Sequence, residues 1–461
     1  MTGRASGTAV PGGRQHALMV LLSVVLSGCT TVGPDYVVPT VEMPTAFVGA
    51  IGTGAQDAAG ETWWRGYKDK TLDDLVTRAL AANTDLAQAR SRIAAVEAAL
   101  RATGINRQLD GTLTAQSTRA GGDDVSAATT DTATLTGSYV LDLFGGIRRG
   151  QERALAERDA VIFDAAATRL AVISSLVGRY IDARYHQEAL ALTRATISSR
   201  ERTLELVREQ ARAGMVSEID VVRAQSDLAS ARADLPVFQE GFERNVFALA
   251  TLLAEPAGPL MRQLQAGVPQ PRPRGGTATG VPADLLRNRP DIRAEERRLA
   301  AAVAAVGVAE AELYPSLTLS GSVAERDGST WSFGPSLTLP VLNRGRLSAS
   351  RDQAVANAQA AELVWRGVVL DATEDVQVAA SAYRTNRHRM DRLADAVVSS
   401  ERLVELSRET FAQGETTLID LLDAERSYTA ARLSLAEATR QTATTWAELQ
   451  VAIGRGAKEP S

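Results

Sequence analysis

Gly214-Met215-Val216-Ser217-Glu218-Ile219-Asp220 and Gly414-Glu415-Thr416-Thr417-Leu418-Ile419-Asp420 are one passage written twice, 200 positions apart. The likeness extends upstream, where Glu201, Arg202, Glu205, Leu206, Arg208 and Glu209 recur as Glu401, Arg402, Glu405, Leu406, Arg408 and Glu409. A constant offset over so many positions is an internal duplication, so the chain is two halves of one plan. Ser217-x-x-Asp220 and Thr417-x-x-Asp420 are capping boxes: the hydroxyl accepts from an orphan amide of the new helix and the carboxylate reaches back to the cap. Gly214 and Gly414 stand just before, where a helix stop wants a left-handed residue. Each copy therefore predicts a long helix, a sharp tip and a long return helix.

Upstream of the first tip, no proline occurs between Asp142 and Leu235, and only Gly178 interrupts Gly150 to Gly214. A single helix of more than sixty residues follows, on the order of 90 to 100 Å long. Ala166, Leu170, Ile173, Val177 and Tyr180, then Leu190, Ile197, Leu204 and Ala211, form a coiled-coil seam, and Met390, Val397, Val404 and Phe411 repeat its last part. The return helix is expected to reach about Leu253, with a kink at Pro236. From Leu72 to about Thr103 apolar residues recur at helical spacing, predicting one helix of about thirty residues that closes at Gly104. Between these helices the period changes to two. Residues 108–143 and 315–341 alternate small polar with apolar side chains, as in Thr132, Thr134, Thr136 and Ser138 against Ala133, Leu135, Gly137 and Tyr139. Each stretch predicts a pair of strands with one wet face. The plan is helix, two strands, long helix, turn, long helix, done twice: residues 71–254, a proline-rich linker 255–282, residues 283–454, and a tail 455–461.

Composition narrows the function. The chain is 45% hydrophobic but 5% aromatic, which suits close helix packing, and its formal charge is −5. Nothing in that balance invites nucleic acid. Lys68, Lys70 and Lys458 are the only lysines, a scarcity that reads as coding bias. His16, His186 and His388 are the only histidines; with no partners at ligand spacing they predict no metal site. Gly145-Gly146 lacks the Lys-Ser/Thr of a phosphate loop, and no nucleophile-base-acid arrangement is visible. A conduit is expected, and no enzyme. At the N-terminus Arg4 and Arg14 precede the apolar run Ala17 to Leu26, which has signal-peptide form over residues 1–28. Leu26-Ser27-Gly28-Cys29 resembles a bacterial lipobox, making Cys29, the only cysteine, an acylated first residue. That covalent lipid is the only non-protein group expected. Thr30 in place of Asp implies sorting to the outer membrane. Residues 29–70, with Pro34, Pro39 and Pro44, read as an extended lipidated tether; Trp63 and Trp64 either anchor its end or simply cover helix surface.

Four amphipathic strands of about ten residues are of membrane-spanning length, yet the smallest such barrels need eight strands. Open edges in lipid cost several kcal/mol per unpaired group, so the strands call for oligomerisation. Cys29-Thr30-Thr31-Val32-Gly33-Pro34-Asp35-Tyr36, Trp63-Trp64, Asp142-Leu143-Phe144-Gly145, Arg289-Pro290-Asp291-Ile292, Leu313-Tyr314-Pro315-Ser316 and Leu421-Leu422-Asp423-Ala424 together resemble the lipoprotein branch of the TolC-like outer-membrane efflux factors. The resemblance covers nearly the whole mature chain. It implies a mainly α protein with membrane β: a homotrimer whose twelve-stranded barrel in outer-membrane lipid continues into a twelve-helix barrel across the periplasm. Its partners would be a periplasmic adaptor and an inner-membrane pump of the resistance-nodulation-division type. It further implies a periplasmic gate at Ile419 and Asp423, with Asp420 beside them, and adaptor contacts at Gly214, Met215, Val216, Ser217, Asp220, Gly414, Glu415 and Thr417. The second tip, Glu415-Thr416-Thr417, is less apolar than the first, so the two need not contact the adaptor equally. Asp423 solvated or paired with Arg426 is the competing reading of the gate. A duct for type I protein secretion and a periplasmic coiled-coil scaffold lipoprotein are the competing functions.

Overall fold

A computed structural model of the chain describes residues 31–48, 58–105, 109–274, 277, 279–280 and 282–457. The signal segment and Cys29 lie outside the described residues. The main helices are α1 (Lys70–Ala82), α2 (Thr84–Ile105), α3 (Gly146–Arg212), α4 (Glu218–Leu252), α5 (Ala257–Leu264), α6 (Pro290–Ala311), α7 (Arg344–Ala412) and α8 (Leu418–Ala452); a 3-10 helix, Ala58–Tyr67, precedes them, and a 3-10 turn, Pro282–Asp284, with a single helical turn, Leu285–Asn288, leads into α6. The strands are β1 (Asp110–Gly122), β2 (Val125–Leu141), β3 (Ser316–Glu325) and β4 (Ser329–Thr338). The two long helices hold 67 and 69 residues, hence about 100 Å each. The described residues form two compact units, one drawn from 31–40, 93–162 and 294–366, the other from 41–92, 163–293 and 367–457.

The first unit carries the sheet. Its strands run in order β1-β2-β3-β4, each neighbour antiparallel, and the β2–β3 pairing from Ala133↔Glu325 to Leu141↔Leu317 joins the two copies. Register sorts the side chains by face. Leu113, Leu135, Val323 and Trp331 stand abreast across all four strands, and the next row is Gly111, Gly137, Gly321 and Phe333. One residue along, on the other face, Thr112, Thr136, Ser322 and Ser332 stand abreast, and the Ser322 and Ser332 hydroxyls meet at 2.9 Å. One face is therefore apolar and the other hydroxylated, as a period of two requires. Trp331 is 80% exposed and Phe333 72%. The outer edges of β1 and β4 have no partner strand within the described residues.

The same unit fixes the segment that follows Cys29. Residues 31–36 form no helix or strand, but they are clamped. The Arg149 guanidinium, 5% exposed, donates to the carbonyls of Val32 and Gly33 at 3.1 Å and pairs with Asp35 at 2.7 Å and Glu152 at 2.8 Å. Val32 donates its amide to Phe144 O at 3.1 Å, and Arg148 Nη1 reaches Thr31 Oγ1 at 2.9 Å. Gly33 adopts φ +84°, and a Cβ there would lie 2.4 Å from Gly307 Cα. Tyr36 donates its hydroxyl to Glu296 at 3.2 Å beneath the Arg297 guanidinium. The start of the expected tether is thus a docked strap.

The second unit holds the main core. Trp63, Trp64 and Tyr67 are buried with Trp446, whose ring meets Trp63 and Tyr67 edge-on at 5.8 and 5.0 Å. The pair of tryptophans is therefore core, and more than a cover for helix surface. Leu176, Val177 and Tyr180 of α3, and Val246 and Leu249 of α4, complete it. The single helix expected over residues 72–103 is instead two. Asn83, 3% exposed, leaves helical backbone (ψ 132°), accepts the amides of Asp85 and Leu86, and donates to Leu252 O at 2.9 Å. An asparagine that can cap the next helix while holding another chain end breaks the run. Arg289 repeats the device ahead of Pro290 by donating to Ala452 O at 3.2 Å, 200 positions beyond Leu252. Helix α4 continues through Pro236 as one element.

Candidate functional site

Both tips are closed by matching backbone hydrogen bonds around their glycines. Gly214 takes φ +75° and Gly414 φ +76°. Met215 donates its amide to Gln210 O and Glu415 to Thr410 O, both at 2.9 Å, a Schellman closure around a left-handed glycine. Ser217 and Thr417 then cap α4 and α8, each hydroxyl accepting from the Asp220 or Asp420 amide while that aspartate takes back the cap amide. The hydroxyls donate to the same carboxylates at 2.7 Å. These bonds, first of all from the hydroxyls, hold the Asp220 and Asp420 carboxyls below the usual aspartate value. Because the folded pKa is depressed, this contribution is present above the ordinary value, about pH 4, and is lost as pH falls through the folded pKa. Ser217→Ala and Thr417→Ala are each expected to cost about 1 kcal/mol of local stability, read as faster amide exchange in the first turn of α4 or α8 at neutral pH. Exchange that is unchanged there would refute the role of the caps.

The expected gate set divides. Asp420 forms the helix cap that its spacing from Thr417 predicts, and its carboxylate is held there beside Ile419 and Asp423. Ile419 is 48% exposed and Ile219 64%; neither joins the apolar core under the tips, which consists of Leu204, Val207, Val221, Ala224, Leu228, Phe411, Leu418, Leu421 and Leu422. Asp423 is solvent-facing but partnered, accepting from Arg426 Nη1 at 3.3 Å. Its counterpart in the first copy, Arg223, pairs instead with Asp220 at 3.5 Å. Val216 packs on the tip core, whereas Met215, at 68% exposure, and Val222, at 55%, stand open beside Ile219. Glu415 is exposed.

Beneath the tips lies a polar cluster that motif reading does not reveal. Asp227 of α4, with its side chain 5% exposed, is gripped by Arg200 of α3 and Arg426 of α8, each with Nε 2.9 Å from a carboxylate oxygen. Arg200 Nη1 also donates to Asp227 O at 2.7 Å. One turn away Glu425 of α8, equally buried, accepts from Ser199 at 3.3 Å, Thr203 at 3.0 Å and Arg408 of α7 at 2.8 Å. The cluster thus ties each hairpin to the other through paired charges. Arg426 contacts both Asp423 and Asp227, so the surface carboxylate and the buried lock share one guanidinium. The signal in the sequence was divergence: Arg200, Asp227, Glu425 and Arg426 stand opposite Ser400, Ser427, Gln225 and Ser226 in the other copy.

A sheet with one apolar face and two open edges, in a chain with two capped coiled-coil hairpins, defines a subunit of a membrane channel. The profile of the family described as outer membrane efflux protein matches residues 75–255 and 281–455, and the chain belongs to that family. Nodulation protein T of Rhizobium leguminosarum bv. viciae is 37% identical over 451 residues, spanning 95% of this chain and 93% of that protein. The pyoverdine export outer membrane protein OpmQ of Pseudomonas putida is 29% identical, spanning 90% and 91%. The solved outer-membrane channel OprN superposes with a TM-score of 0.85 at 30% identity, covering 92% of this chain and 99% of its own. The chain is an outer-membrane efflux channel protein of the bacterial envelope that reaches into the periplasm, and its family is one of channels rather than enzymes.

Proposed function

We propose that three copies of this chain close into a passive duct that carries small molecules out of the cell as the outer-membrane part of a tripartite efflux pump. The open edges of β1 and β4 carry the reading. In lipid each unpaired edge group costs several kcal/mol, and joining edges between copies removes that cost. Three four-stranded sheets make a twelve-stranded barrel, with Trp331 and Phe333 towards lipid and the threonine and serine face towards water. A lipid on Cys29 would sit two residues from the strap that Arg149 clamps. The hairpins would extend the duct across the periplasm, with Met215, Ile219 and Val222 offering the adaptor an apolar docking patch on the first tip and the inner-membrane pump lying beyond.

At the second tip, Ile419 and Asp423 would form the aperture, an apolar ring and an acidic one that favours cations and resists anions. The Arg426 bridge supports a closed rest state, because it draws Asp423 towards the buried Asp227. In planar bilayers the purified trimer is expected to conduct weakly and to be blocked by divalent cations, and Asp423→Ala to conduct more and lose the block. Equal conductance and block in the variant would remove the gate assignment. A soluble monomer after delipidation would overturn the duct itself and favour the scaffold reading. Co-purification with a proton-driven pump, as opposed to an ATP-driven exporter, distinguishes small-molecule efflux from protein secretion.

A further inference from the structure

Two of the three lysines in the chain line one cavity. It encloses about 650 Å³, with one wall made by residues 67–70 and another by residues 268–274, a volume in the range of small-molecule sites. Lys68 and Lys70 come from the first wall, Arg272 and Arg274 from the second, and Arg432 of α8 adds a fifth cation. Among the described residues, the carboxylates lining it are Asp69 and Glu188. Asp69 is already engaged, capping the amides of Thr71 and Leu72 and accepting the Tyr180 hydroxyl. No ion pair among the described residues engages Lys68, Lys70, Arg272 or Arg274.

The walls are built in advance. Pro269, Pro271 and Pro273 fix φ at alternate positions of the second wall. Arg274 donates its amide to Gly66 O at 2.8 Å, and the buried Arg184 guanidinium holds the carbonyls of Leu264 and Ala266 at 3.3 and 3.1 Å. One backbone observation marks the first wall. Lys68 holds φ 54°, a left-handed backbone that residues with a long side chain rarely adopt and that clusters at functional sites.

We propose that this cavity binds a multiply charged anion, bearing carboxylate or phosphate groups. Guanidinium forks match either group bidentately, lysines add point charge, and a concave wall of one sign concentrates the field. The chain as a whole is acidic, at −5, so the reversal of sign is local. The site shares no residue with the tips or the sheet, and does not depend on the duct reading.

The scarcity of lysine supplies the test. The full-length protein in detergent is treated with an amine-reactive reagent and labelling is read by mass spectrometry, with pyrophosphate and citrate as probes and Lys458 as reference. At ten times its dissociation constant, either probe is expected to lower labelling of Lys68 and Lys70 about tenfold while Lys458 is unchanged. Arg272→Gln with Arg274→Gln, both exposed positions, should abolish that protection. Protection by pyrophosphate alone assigns a phosphate ligand, by citrate alone a carboxylate, and by both a general polyanion site. No protection at millimolar probe, equal protection of Lys458, or failure of Lys68 and Lys70 to label in the free protein would each overturn the proposal.

Discussion

Asp227→Ala is expected to loosen both tips together and to raise the conductance of the reconstituted channel by one to two orders of magnitude. The substitution strips the nearly buried Arg200 of its partner and frees Arg426 from the lock. Leaving a buried charge unpaired costs about 3 to 5 kcal/mol. If much of that loss falls on the closed arrangement, each 1.4 kcal/mol shifts the balance between closed and open about tenfold. Amide exchange in residues 204–228 and 411–422 should quicken in parallel, since the apolar core of the tips is drawn from those stretches. Asp227→Asn, which keeps shape and hydrogen bonding but removes charge, should fall between wild type and alanine. Normal conductance together with normal exchange in Asp227→Ala would show that the apolar layer alone holds the tips.

Gly33→Ala is expected to be as severe at the other functional end of the chain. An alanine Cβ would meet the Gly307 backbone at 2.4 Å in a left-handed conformation that alanine resists, so the strap must lift. Lifting it removes the Asp35 carboxylate and two carbonyls from Arg149, whose guanidinium would then lie nearly buried with Glu152 alone. A loss of about 3 kcal/mol follows from that imbalance. It should appear as protease cleavage within residues 31–36 and fewer heat-stable oligomers in outer-membrane fractions. Arg149→Ala should reproduce the phenotype without any backbone clash, which separates loss of the clamp from steric damage. An intact, protease-resistant strap in both variants would refute the clamp.

What could be read from sequence was what is local. Gly214, Ser217 and Asp220 act on one another within seven residues, so their pattern announces the tip before any tertiary contact is known. The strand faces were legible for the same reason, because side-chain alternation is a property of one strand. The lock was not, since Arg200 reaches Asp227 across a hairpin and Arg426 reaches it from the other copy. The helix break at Asn83 is not legible, because an asparagine in an apolar-periodic run gives no sign that Leu252 O accepts its amide. Asp420, by contrast, was legible on the same ground as the first tip, since Thr417 three residues before it marks the capping box that repeats Ser217 and Asp220. The lysines were set aside as coding bias, and only the fold places Lys68 and Lys70 against Arg272 and Arg274.

The divergence between the copies has a consequence for how a ring of these chains could open. Six identical hairpins would have six equivalent seams, and any change that loosened one would loosen all. Because Arg200, Asp227, Glu425 and Arg426 each occur in one copy only, the proposed trimer would alternate seams tied by charge within a chain with seams between chains built from other residues. Threefold rather than sixfold symmetry would then provide hinges and fixed blades in alternation, so an iris of this kind would widen by moving pairs of hairpins as units while each pair keeps its own grip.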